Sequence, residues 1–123
     1  MTNTNTIIIH IRRIIFSSTF AVEFIVYQNG MQYILVADLT TAPYPPIIPG
    51  FFLLNTALVY PIVGISLNIY AIQTMENLSP QTIQLQNQFI EMARNQDPIV
   101  IEIINMVSQR IPLLVDEVYG PGI

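Results

Sequence analysis

Charged side chains are scarce in this chain, and that scarcity limits the folds it can adopt. Only 10% of the 123 residues are charged, whereas 52% are hydrophobic, and an ordinary soluble domain carries about 25% charged residues. A domain of this length has a large surface relative to its core, so its apolar side chains cannot all be buried within one chain. We therefore predict that part of the apolar surface contacts a partner or lipid.

The length accommodates one domain, 1–123, with a β-rich part over 1–75 and a helical part over 79–119. Four arginines and no lysine stand against eight acidic residues, giving a formal net charge of −4. Binding to phosphates requires several basic side chains on one face, so nucleic acid is not expected as a partner. Residues 1–6 lack the basic region of a signal peptide, and the localisation stays undetermined.

Three strands are predicted in the first third of the chain, over 7–16, 19–27 and 31–39. These segments are dense in β-branched and aromatic side chains, which suit a pleated surface. Asn29-Gly30 separates the second strand from the third, and this pair strongly favours a two-residue hairpin turn because both residues tolerate positive φ.

Residues 51–75 carry no charge and allow two interpretations. The uncharged length is sufficient for a transmembrane helix over 51–72. However, apolar residues at 65, 67, 69 and 71 alternate with Ser66, Asn68 and Tyr70, which is the period of a strand. Pro61 and Gly64 lie between the two halves, where they separate two strands more naturally than they interrupt a helix. We favour two strands and keep the membrane helix as the alternative.

Two helices are predicted in the last third, over about 80–95 and 98–118. Ser79-Pro80 and Asp97-Pro98 each place a preferred N-cap residue before a proline at the first helical position. Pro112 is expected to kink or restart the second helix. Together these elements predict an α+β fold, with an antiparallel sheet of about five strands over residues 6–74 followed by two C-terminal helices.

No pattern of catalytic, cofactor-binding or metal-binding residues is present, and no enzymatic activity is predicted. The chain has no cysteine, and its single histidine, His10, lies in a strand without the neighbours of a metal motif. Glu23 also lies in an apolar strand, where we expect it to pair with Arg12 or Arg13 across the neighbouring strand.

The surplus of apolar side chains favours a structural subunit that associates with copies of itself in a coat, shell, ring or filament. Interfaces of obligate oligomers resemble a divided core, and unpaired strand edges offer a second way to associate. The candidate interface residues are Ile7, Ile9, Ile11, Phe51, Phe52, Phe89, Ile103 and Val107. A membrane-associated subunit, with 51–72 in the bilayer, and a small domain that binds an apolar ligand are the alternatives.

Overall fold

The computed structural model describes residues 6–16, 20–41, 48–61, 64–73 and 78–119. Within these residues a five-stranded antiparallel sheet precedes two C-terminal helices, which confirms the predicted α+β arrangement. The strands are β1 (Ile7–Phe16), β2 (Phe20–Gln28), β3 (Met31–Thr40), β4 (Phe51–Tyr60) and β5 (Ile65–Ile72), and the helices are α1 (Pro80–Arg94) and α2 (Pro98–Tyr119).

The spatial order of the strands is β1-β2-β3-β5-β4. Strand β5 lies between β3 and β4, so β1 and β4 form the two edges of the sheet. Leu67 of β5, for example, is paired with Leu39 on one side and with Ala57 on the other. The uncharged segment that is long enough for a membrane helix therefore forms two strands, one central and one at an edge.

The tight turn between β2 and β3 is the predicted Asn-Gly hairpin. Asn29 and Gly30 have φ angles of 53° and 77°, which are the positive values that a type I′ turn requires at both central positions. Gln28 and Met31 pair directly on either side of the turn. This turn sets the register of the hairpin that β2 and β3 form.

The core lies between one face of the sheet and the apolar stripes of the two helices. Alternate residues of the strands point to this face because successive side chains in a strand alternate in direction. The largest fully buried apolar side chains of the core are Phe24, Tyr33, Leu35, Leu67, Ile69, Phe89, Ile103 and Ile111.

Both helices begin at the predicted caps. The side chain of Ser79 accepts a hydrogen bond from the backbone N–H of Thr82 at 3.2 Å, and Asp97 accepts one from Ile99 at 3.0 Å. Each bond satisfies one of the N–H groups that a helix leaves unpaired at its first turn.

Pro112 does not divide the last helix, because α2 continues through it to Tyr119. A proline inside a helix removes one backbone hydrogen bond. Ile111 and Val115, on either side of it, are both fully buried in the core. Packing against the sheet therefore holds the helix together across the missing bond.

One turn of α2 is bonded to both edges of the sheet. The guanidinium of Arg110 donates to the backbone carbonyl of Ile9 in β1, and the hydroxyl of Tyr60 in β4 donates to the carbonyl of Pro112 at 3.2 Å. Through these two bonds, α2 joins the two edges of the sheet.

Helix α1 supplies hydrogen bonds to β3 beyond the last residue pair that β3 forms with β5. Backbone pairing between β3 and β5 begins at Leu35 and Ala71, so Ile34 has no strand partner on that side. The side-chain amide of Gln86 replaces the strand: its Oε1 accepts from the N–H of Ile34 at 3.1 Å, and its Nε2 donates to the Ile34 carbonyl at 2.7 Å. Gln86 is only 2% exposed, so these two bonds lie in the protein interior.

Candidate functional site

Strand β4 is apolar in sequence, yet none of its ten residues is buried. Eight of the ten are hydrophobic, and Leu53 and Leu58 are 37% and 61% exposed. By contrast, seven of the eight residues of β5 are buried. Phe52, Leu54 and Val59 pack in part against the core, and the Arg94 guanidinium lies 5.0 Å from the centroid of the Phe52 ring. The strand therefore presents an apolar surface that the rest of the described chain covers only in part.

The backbone of β4 is also available along its outer edge. Among the described residues, no backbone hydrogen bond other than those to β5 involves positions 52–59. The backbone of β1, at the opposite edge, is less available for pairing. Arg110 donates a hydrogen bond to the carbonyl of Ile9, and β1 itself carries the charged residue Arg12. Natural edge strands use charged side chains to prevent pairing with other chains. β4 carries no charge, so it lacks this protection.

A shallow groove of about 310 Å³ runs between β4 and the two helices. Its apolar lining comes from Phe52 and Leu54 on the strand and from Val100, Ile101 and Ile104 on α2. Asn55, Gln96 and Asn105 add polar groups to the lining. Ile101 is itself 47% exposed, so the apolar surface extends from the edge strand onto the helix.

The predicted interface residues fall into two groups in the structure. Ile7, Phe51 and Phe52 are partly exposed and Ile11 is exposed, whereas Ile9 of β1 is buried in the core. Phe89, Ile103 and Val107 are fully buried in the core, where they pack against the sheet. An apolar stripe on a helix can face its own sheet or a partner, and the sequence does not distinguish these outcomes. Leu53 and Leu58 are not among the predicted residues, although they lie in the uncharged run that contains Phe51 and Phe52.

A polar row crosses the sheet on the face opposite the core. Asp38 of β3 pairs with Asn68 of β5, which pairs in turn with Thr56 of β4. Asp38 and Asn68 are buried, whereas Thr56 is exposed. Burial, with a smaller contribution from the Asp38 carboxylate, raises the pKa of the Tyr70 phenol above its usual value.

Asn68 is fully buried, and neither Oδ1 nor Nδ2 of its amide makes a hydrogen bond to a described residue. A buried amide without hydrogen bonds destabilises the folded state, since it gives up its bonds to water. We expect Asn68→Val to raise the free energy of unfolding by about 1 to 2 kcal/mol, measured by urea denaturation. Thr56→Val, at the exposed end of the same row, is the control and should change stability little. A loss of stability in Asn68→Val would show that the amide is hydrogen-bonded in solution.

The predicted ion pair of Glu23 is confirmed. Nε of Arg12 lies 3.9 Å from Oε2 of Glu23, across β1 and β2. The ring of His10 contacts Tyr27 edge-on, with centroids 5.7 Å apart. In the described part of the chain, no three acidic or histidine side chains are grouped so that they could hold a metal ion.

Among the described residues, one helix has the length and composition to cross a membrane: the Pro98–Val115 part of α2, with a mean hydropathy of 1.4. A core helix of a soluble protein has the same properties. Val100, Ile103, Val107, Ile111 and Val115 are buried in the core. Only 33% of the segment is buried, however, and Ile101 and Leu113 are 47% and 73% exposed.

The fold and site thus define an α+β protein with a five-stranded antiparallel sheet and an apolar edge strand that the described residues leave partly exposed. Comparisons of the chain with protein families, curated proteins and solved structures found no match.

Proposed function

We propose that the chain is a non-enzymatic structural subunit that associates with copies of itself through β4. The observation that carries this proposal is that a ten-residue edge strand, eight of whose residues are hydrophobic, has no buried residue. Covering apolar surface stabilises an assembly by about 25 cal/mol per Å² removed from water. The outward backbone groups of the strand add hydrogen-bonding capacity in the same place.

Charge favours a second copy as the occupant of this edge. Each chain has a formal net charge of −4, so two copies repel each other wherever their acidic surfaces approach. β4 has no charged residue and therefore offers a neutral strip at which two copies can meet. Pairing along ten residues forms up to about ten backbone hydrogen bonds, the number that a typical protein interface carries.

The proposal is tested by light scattering of the purified chain after size-exclusion chromatography without detergent. We expect a mass of at least two chains for the unmodified protein. Leu58→Lys should raise the dissociation constant about 100-fold or more, because an uncompensated charge in an apolar interface costs about 3 kcal/mol.

Ile8→Lys is the matched control, since Ile8 is a similarly exposed aliphatic residue, at 48%, on the opposite edge strand. This variant should retain the mass of the unmodified protein. A monomeric unmodified chain would overturn the proposal of self-association. Dissociation by Ile8→Lys but not by Leu58→Lys would move the interface from β4 to β1.

A further inference from the structure

The polarity of β4 is the same when the strand is read in either direction. Four hydrophobic residues, Phe-Phe-Leu-Leu, precede the polar pair Asn55-Thr56, and four more, Ala-Leu-Val-Tyr, follow it. A strand that pairs antiparallel with a copy of itself around a twofold axis places each residue opposite the one equally far from the centre. Such pairing requires a pattern that is symmetrical about its middle, and β4 has this pattern.

A β-bulge brings the two exposed leucines of β4 to the same face of the sheet. Leu53 pairs with Tyr70 and Leu58 with Ser66, and these two β5 residues are four positions apart, so they share a face. Leu53 and Leu58 are five apart and would lie on opposite faces of a regular strand. The register shift between Leu53 and Asn55 removes this difference.

We infer that two copies pair β4 with β4 in antiparallel orientation, around a twofold axis at Thr56. The bulge adds one residue before Asn55, and this moves the centre of the paired register to Thr56, whose partner Asn68 lies midway between Tyr70 and Ser66. This inference rests on the proposed self-association and adds its symmetry and register. Leu53 of one copy then lies opposite Leu58 of the other, on one face, and the same contact is repeated across the axis. Residues directly opposite each other in an antiparallel pair lie on the same face, as this arrangement requires. The two five-stranded sheets become one sheet of ten strands.

The polar residue at the centre selects this register over its neighbours. In the centred register, Thr56 of one copy lies opposite Thr56 of the other, where their hydroxyl groups can form a hydrogen bond. A shift by two residues places each Thr56 opposite a hydrophobic residue and leaves its hydroxyl without a partner in the interface. A head-to-tail contact, between β4 of one copy and β1 of the next, is disfavoured. Arg110 already donates a hydrogen bond to the Ile9 carbonyl of β1, and Arg12 adds a charge at that edge.

The absence of cysteine from the chain allows a direct test by disulfide formation. Two variants are prepared, Leu53→Cys and Leu58→Cys, with one of them isotopically labelled. They are mixed, oxidised and analysed by intact mass under non-reducing conditions. Opposed residues of antiparallel strands have Cβ atoms about 4.5–5.5 Å apart, close enough for a disulfide after a small adjustment. Position 53 lies about 14 Å along the strand from position 53 of the other copy, which is too far for one.

We expect the mixed disulfide, which joins one Leu53→Cys chain to one Leu58→Cys chain, as the main oxidised product, and little crosslinking of either variant alone. A mixture of Ile8→Cys and Leu58→Cys is the control for head-to-tail pairing and should not crosslink. If light scattering shows a dimer but the mixed disulfide is absent, the twofold register is overturned while self-association stands. If the unmodified chain is monomeric, the proposed function and this inference are both overturned.

Discussion

Phe89→Ala is expected to lower the free energy of unfolding by about 3 to 5 kcal/mol, the usual cost of removing a buried phenylalanine ring. The Phe89 side chain is fully buried, and its ring lies 4.4 Å from the ring of Tyr33, centroid to centroid. Truncation removes this contact and leaves a cavity between α1 and β3. Urea denaturation at a fixed protein concentration measures the change, since the stability of an associating protein depends on concentration.

Phe89 is one of the predicted interface residues, and this variant distinguishes that role from a role in the core. Below its melting temperature, Phe89→Ala should keep the mass of the unmodified protein in light scattering. Leu58→Ala is the matched control: it removes an exposed apolar side chain from β4 and should change the unfolding of the single chain by less than about 0.5 kcal/mol. A Phe89→Ala protein that is as stable as the unmodified chain, but dissociated, would place Phe89 in the interface.

Gln86→Leu is expected to destabilise the fold by about 3 kcal/mol or more. The variant removes both hydrogen bonds to Ile34 and leaves a buried N–H and a buried carbonyl without partners. Each such group costs about 1 to 3 kcal/mol. Gln84→Leu is the control, since Gln84 lies on the same helix but is exposed. Equal stability of these two variants would contradict the role assigned to the Gln86 amide.

Gln86→Glu gives a pH-dependent form of the same test. An ionised carboxylate accepts from the Ile34 N–H but cannot donate to the Ile34 carbonyl, whereas the protonated acid does both. Burial raises the pKa of this carboxyl above that of the unfolded chain, so the folded state binds the proton more tightly. The stability deficit of Gln86→Glu relative to the unmodified protein should therefore shrink as the pH falls from 7 towards 4. A deficit that does not change with pH would indicate that the donor bond contributes nothing.

Turns, caps and strands that depend on the identity of a few neighbouring residues could be predicted from the sequence. The Asn29-Gly30 turn and the caps at Ser79 and Asp97 form as expected, because each depends on the backbone preferences of adjacent residues. The alternation over 65–71 likewise distinguishes strand β5 from a membrane helix. The extent of the second helix, over about 98–118, was also predicted, but its unbroken course through Pro112 depends on the burial of Ile111 and Val115, which the sequence does not show.

The candidate site could be predicted only in part. The sequence indicates unsatisfied apolar surface and directs attention to Phe51 and Phe52, but it cannot separate them from Phe89, Ile103 and Val107. All five are apolar residues in regular elements, and burial depends on which distant element packs against each of them. The role of Gln86 is equally hidden, because a glutamine on a helix resembles any other until its partner strand is placed.

The sequence by itself determined the types of the elements, the turn and caps that bound them, and the excess of apolar over charged side chains. These properties arise from local conformational preferences and from composition. Only the tertiary structure decided the strand order, in which β5 lies between β3 and β4 and leaves β4 at the edge of the sheet. It also decided that Arg110 donates a hydrogen bond to a backbone carbonyl of β1 and that apolar side chains of β4 remain exposed. Strand order and burial result from packing between residues far apart in the chain, which no local pattern encodes.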